Sequence, residues 1–257
     1  RAERALGRAT ILARQSGADL VLLHVIDDDQ PPPLVTAATR QAEKLLRAAA
    51  PDLDGARTEV LVRTGDPFEV VVQTADERAV DLVVMGAHRK RILRDVFTGT
   101  TIERVVRTGH HPVLMVNRVA EAPYRRAVVA SDLSEASAQA MRTAAALGFL
   151  GAGEVSVLHA FLPLAKDMMA YAGVERDKIA EHVTRAAADA RDKLAAFVCG
   201  HCPELQEHPL LVEEGEPVEV IRRVVERTDA DLVVIGTRGH RGLKRVLLGS
   251  IADEVLR

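Results

Sequence analysis

Gly65-Asp66-Pro67-Phe68-Glu69-Val70 and Gly215-Glu216-Pro217-Val218-Glu219-Val220 are two copies of one turn, 150 positions apart (215 − 65). The same offset relates Asp81-Leu82-Val83-Val84-Met85-Gly86 to Asp231-Leu232-Val233-Val234-Ile235-Gly236, and Gly99-Thr100 to Gly249-Ser250. Upstream, Leu23-His24-Val25 matches Leu158-His159-Ala160 at an offset of 135 (159 − 24). The second copy therefore carries about 15 extra residues before its Gly-Glu-Pro turn, and insertions of that kind fall in loops. Matched blocks that keep their order mark a duplicated structural unit. The chain reads as two homologous domains, residues 1–120 and 123–257, joined by a short linker at 118–123 that is rich in Ala, Glu and Pro.

Each copy alternates strands and helices. Residues 19–25 form an apolar run, as expected of a strand buried on both faces. Residues 36–49 have helical spacing, 57–63 alternate as a strand does, and 67–76 open with a Pro suited to a helix start. Strand 82–85, helix 100–107 and strand 113–116 complete the copy, and the order repeats from Ala127. Such alternation predicts an α/β fold with parallel sheets and helices on both faces. The offsets place the partner of strand 127–130 ahead of Arg1 and the partner of strand 113–116 beyond Arg257. The first domain is thus expected to lack its first strand in this chain, and the second its last. Either loss would bare backbone donors and acceptors at a strand edge.

Composition narrows the function. Of 257 residues, 47% are hydrophobic and 28% charged, which excludes a disordered or fibrous chain. A net charge of −3 gives no global field for nucleic acid. No apolar run approaches the roughly 18 residues of a membrane helix, so no membrane span is expected. Two Cys cannot staple a chain of this length, which points to a reducing, cytoplasmic setting. The basic runs His88, Arg89, Lys90, Arg91, Arg94 and Arg238, His240, Arg241, Lys244, Arg245 both fall between glycines, where a local positive field helps retain phosphates. Neither run interleaves aromatic residues and the chain has no Trp, which disfavours binding single strands by stacking.

The chemistry concentrates after strand 232–235. Gly236-Thr237-Arg238-Gly239 is followed nine residues later by Gly249-Ser250. A Gly at a strand's carboxyl end lets a ligand approach the backbone. Gly239 can take positive φ and turn successive amides inward as an anion nest. Ser250 opens the last helix, whose free N–H groups and positive dipole end suit a phosphate. The same spacing also fits a plain turn and a capped helix. Asp132 follows strand 127–130 at the edge where open α/β sheets bind ligands, and its carboxylate could accept from a ribose or a base. It could instead cap the next helix, unless Ser134 does so and leaves Asp132 available. A phosphoacceptor Asp, as in a receiver domain, is a weaker reading, since no acidic pair stands beside it.

With these motifs the chain resembles a tandem universal stress protein along almost its whole length. The family pattern Gly-x2-Gly-x9-Gly-Ser/Thr is met by Gly236, Gly239, Gly249 and Ser250, the first-strand Asp by Asp132, and the Leu-His-Val strand end by both copies. The resemblance implies two Rossmann-like, adenine-nucleotide alpha-hydrolase-like domains related by a pseudo-two-fold. It implies ATP, with Mg²⁺, as ligand, and a role in stress survival. By position, Asp132 would meet the adenosine half and Ala160 the adenine. Ile235, Gly236, Arg238 and Gly239 would line the nucleotide, and Gly249, Ser250 and Ile251 would hold phosphates. An intrachain pseudo-dimer is expected, with a homodimer of whole chains as the further assembly. The first copy has Arg89 where the second has Gly239; a bulky residue disfavours positive φ, so its site is expected to be impaired or altered. No general base or metal-carboxylate set stands out, so the chain is at most a weak ATPase. The alternatives are a genuine ATPase and an interaction scaffold without nucleotide.

Cys199-Gly200-His201-Cys202 has redox and zinc spacing, with His201 and His208 as further zinc candidates, but is expected to be a loop at the solvent edge. His24 and His159 end buried strands and are expected at the core or the crevice rim rather than as bases. The extra segment 161–171, with Met168 and Met169, reads as a flap over a ligand or a surface for a partner.

Overall fold

The computed structural model describes residues 2–29, 31–87, 100–151, 153–163 and 165–237. The chain divides into two compact units, Arg1–Pro123 and Tyr124–Arg257. Both are α/β with parallel strands.

Unit 1 runs α1 (Ala2–Ser16), β1 (Leu20–Ile26), α2 (Pro32–Ala49), β2 (Thr58–Thr64), α3 (Pro67–Glu77), β3 (Val83–Gly86), α4 (Thr101–Thr108) and β4 (Val113–Val116). Helix α2 starts earlier than its spacing predicts, because prolines fit the first helical turn, where no N–H partner is needed. Asp66 caps α3 by accepting from the Phe68 amide at 3.0 Å. Strand β1 pairs in parallel with β2, and β3 with β4. These are separate two-stranded sheets, and β1 and β3 are not joined among the described residues.

Unit 2 runs β5 (Arg126–Ala130), α5 (Glu135–Ala146), β6 (Glu154–Phe161), α6 (Lys166–Tyr171), α7 (Arg176–His201), a 3-10 turn (Pro203–Leu205), β7 (Leu210–Glu214), α8 (Pro217–Thr228) and β8 (Leu232–Ile235). Its parallel sheet has the order β7-β6-β5-β8. Val128 and Leu158 of the sheet pack on Val220, Ile221 and Val224 of α8 to form a core. Burying side chains of that size supplies roughly 1.5–3 kcal/mol each. Helix α7 buries Ala190, Leu194 and Val198, a four-residue spacing that keeps one stripe inward.

The repeated turn has one geometry in both units. Gly65 and Gly215 sit at φ +134° and +139°, where L side chains are rarely found. Their amides donate to the carbonyls of Ile26 and Phe161 at 3.0 and 3.1 Å, extending each ladder by one bond. A Cβ at either would lie 3.0 or 3.1 Å from the Cγ2 of Val70 or Val220.

Two expectations need correction. The Cys199–Cys202 segment is not a solvent-edge loop. Cys199 and His201 belong to the last turn of α7, and Cys202 is its C-terminal cap. Cys199 is exposed while Cys202 is wholly buried. Segment 161–171 is not simply a flap: strand β6 extends to Phe161, and Lys166–Tyr171 is helical. The Lys166 Nζ lies 2.5 Å from Glu214 Oε1 at the end of β7, while Met168 and Tyr171 are exposed.

Candidate functional site

In unit 2 the strand order turns around β5. The connection to β6 runs to one side, and β8 lies on the other. Crevices at such switch points, outside the strands' carboxyl ends, are where open α/β sheets bind ligands. Ala130 pairs with Leu158 of β6 and with Ile235 of β8. Asp132 lies two residues beyond Ala130, Ala160 two beyond Leu158, and Gly236 one beyond Ile235. Asp132, Ala160, Ile235 and Gly236 therefore gather at the carboxyl ends of three adjacent strands. Ala160 and Ile235 are partly buried against the core. Arg238, Gly239, Gly249, Ser250 and Ile251 lie outside the described residues.

The loop from β5 to α5 is built on serines. Ser131 continues the strand by donating its amide to the Leu158 carbonyl at 2.8 Å. Its Oγ accepts from the Leu133 amide at 3.1 Å and lies 2.9 Å from Ser137 Oγ. Ser134 caps α5 by accepting from the Ser137 amide at 3.3 Å, and Ser137 Oγ donates back to the Ser134 carbonyl at 2.9 Å. All three serines are buried. Leu133 is held at φ +61°, a conformation that costs a non-glycine residue about 1–3 kcal/mol and that clusters at functional sites. Ser134 caps the helix, as the sequence allowed, and Asp132 is engaged as well, its Oδ1 accepting from the Ser134 amide at 3.1 Å. His159 Nδ1 lies 2.8 Å from the Ser131 carbonyl. Sequence reasoning missed Ser131, Leu133 and Ser137; the three-residue spacing of Ser131, Ser134 and Ser137 was the available signal.

Gly236 has a packing role at this position. A Cβ there would lie 2.8 Å from Ala136 C, 2.8 Å from Ser137 N and 2.9 Å from Ala136 O. What approaches this glycine is the backbone of the first turn of α5.

The sequence profile of the universal stress protein family matches residues 1–117 and again 123–257. The chain belongs to the universal stress protein family. It carries two such domains in tandem. Universal stress protein Sll1388 of Synechocystis is 31% identical over 144 residues, 52% of this chain and 91% of that protein. Universal stress protein E of Salmonella typhi is 28% identical over 209 residues, 74% of this chain and 62% of that protein. Among solved structures, a universal stress protein from Archaeoglobus fulgidus superposes with a TM-score of 0.64 at 18% identity, covering 90% of this chain and 80% of that one, a likeness of fold.

Of the two matched helix starts, only that of unit 1 lies within the described residues. Helix α4 of unit 1 begins where the sequence aligns Thr100 with Ser250. There the Thr100 amide donates to Glu103 Oε2 at 2.9 Å and Thr100 Oγ1 accepts from the Glu103 amide at 3.2 Å. This reciprocal cap occupies two N–H groups at the helix start, the Thr100 amide on the Glu103 carboxylate and the Glu103 amide on the Thr100 hydroxyl. His24 is exposed rather than in the core, whereas His159 is half-buried. The remaining acidic group able to hold a cation among the described residues is Asp27, Asp28 and Asp29 in unit 1. No three ligating side chains gather around Cys199 and Cys202 among the described residues. Burial, reinforced by Glu204, pushes the Cys202 thiol up to about 12, against thiolate chemistry. No described helix is long and apolar enough to cross a membrane.

Proposed function

We propose that unit 2 binds an adenine nucleotide, ATP, in the crevice at the carboxyl ends of β6, β5 and β8, and hydrolyses it slowly or not at all. The observation that carries this reading is the convergence of Asp132, Ala160 and Ile235-Gly236 at the switch point of the sheet. Ala160 and Ile235 offer an apolar floor to the base, and Asp132 offers carboxylate oxygen at the ribose. Arg238, Gly239, Gly249, Ser250 and Ile251 complete the proposed site on the phosphate side, by the family's glycine pattern.

The crevice suits binding more than turnover. Its described carboxylate, Asp132, is committed to the Ser134 amide, and hydrolytic sites position a base or a metal with several carboxylates. Mg²⁺ enters as an ion carried by the phosphates, where it would neutralise their charge. Unit 1 serves mainly as a partner domain, with Arg89 in place of the second glycine. We place the protein in the cytoplasm because Cys199 and Cys202 are both free thiols.

Calorimetric titration of the full chain with ATP, beside the variant Gly239→Arg that imitates unit 1, tests the reading. Wild type should bind and the variant should lose at least about tenfold in affinity, the scale of one or two lost charge-assisted bonds. Equal affinity in the two proteins would defeat the assignment of the phosphate side.

A further inference from the structure

We propose that His159 is a positioning residue for the ligand crevice: the hydrogen bond from its ring to the Ser131 carbonyl holds residues 131–134 in the geometry that presents Asp132. The ligand half of this inference rests on the nucleotide reading of the crevice. A carbonyl oxygen only accepts, so the 2.8 Å contact places a proton on Nδ1.

Ser131 is then fixed from three directions. Its amide is tied to Leu158, its hydroxyl to Leu133 and Ser137, and its carbonyl to His159. Such redundancy is what a strained neighbour requires, and Leu133 at φ +61° follows two residues later. Asp132 lies between the pinned Ser131 and the strained Leu133, so its carboxylate is placed by both. Strand β6 thus contributes twice: Ala160 to the crevice directly, and His159 to the loop across from it.

An apolar side chain would fill the half-buried volume as well, so filling space does not account for the bond.

Three substitutions in the full chain separate these roles. His159→Asn keeps an N–H near the Nδ1 position, His159→Gln moves it one bond outward, and His159→Leu removes it. Two quantities are read: amide exchange at Leu133 without ligand, and affinity for adenosine and for inorganic pyrophosphate by calorimetry. The Gln and Leu variants should raise Leu133 exchange and weaken adenosine about tenfold each, the scale of one lost hydrogen bond, with pyrophosphate unchanged. The Asn variant should stay within about twofold of wild type, because its donor is retained. Wild-type exchange and adenosine affinity in the Gln or Leu variant would overturn the inference. So would parallel losses of adenosine and pyrophosphate, the mark of general damage. A wild type that binds no adenosine would overturn the nucleotide reading, and Leu133 exchange would still decide whether His159 positions the loop.

Discussion

Replacing Gly236 with Ala should destabilise unit 2 in the absence of any ligand. The added Cβ would meet Ala136 C and Ser137 N at 2.8 Å and Ala136 O at 2.9 Å. Carbon atoms pack best at about 3.5 Å or more, so β8 and α5 must part by about 0.7 Å. All three obstructing atoms are backbone, and none can rotate away as a flexible side chain would. Overpacking of this kind costs about 1–3 kcal/mol, and the lower entropy of unfolded Ala returns less than about 1 kcal/mol. The net loss of about 1–2 kcal/mol corresponds to a fall of about 3–8 °C in the midpoint of a unit this size. Scanning calorimetry of the ligand-free full chain reads the transition. Gly200→Ala is the control, since nothing lies within 4 Å of its added Cβ and it sits in helix α7. It should be neutral or stabilising by up to about 1 kcal/mol. A Gly236→Ala protein that unfolds within about 1 °C of wild type would refute the packing argument, because even 1 kcal/mol moves the midpoint further than that.

Thr74 offers the opposite sign. Its buried Oγ1 has no hydrogen-bond partner among the described residues, and the matching position in unit 2 is the fully buried Val224. Thr74→Val should stabilise unit 1 by about 1 kcal/mol, read as a raised urea midpoint at unchanged slope. Glu213 gives a pH test: burial acts to raise its pKa, but Arg227 and Arg223, at 2.5 and 3.0 Å, outweigh it and hold the carboxyl below its usual 4.5. A depressed pKa stabilises above the unfolded value and loses that contribution as pH falls through the folded value. Glu213→Gln should therefore cost about 1 kcal/mol at pH 7 and progressively less on the acid side of 4.5, by denaturant titration at several pH values. Native alkylation with iodoacetamide, followed by peptide mass analysis, should label exposed Cys199 and spare buried Cys202 until the chain unfolds.

The strands were the most legible part of the fold. Val113–Val116 and Leu232–Ile235 are short apolar runs between turn residues, and the structure keeps both bounds. The alternation of strands and helices supplied the parallel topology, and the duplication supplied the division into two units. Helix α1 was hard to see, since its inward stripe consists of Arg8, Ala9 and Ala13 rather than large apolar residues. Cys202 read as exposed because a Cys-Gly-His-Cys run looks polar, yet the last turn of α7 directs it inward. At the crevice, sequence named Asp132, Ala160, Ile235 and Gly236 but not what holds them. The Ser134 amide on Asp132, the His159 bond and the helix against Gly236 are contacts between residues up to 100 positions apart or between a side chain and its neighbour's backbone. Periodicity carries no signal for either kind.

The central claim is one nucleotide per chain, held by the second unit. Mass spectrometry of the nucleotide released from freshly purified full chain, quantified against protein, tests it most directly. The account predicts ATP or ADP at about one per chain, lost on Gly239→Arg, since a single intact glycine pattern forms one anion nest. A chain that carries none and takes up none when ATP is added, or one that carries its nucleotide unchanged after Gly239→Arg, would contradict it.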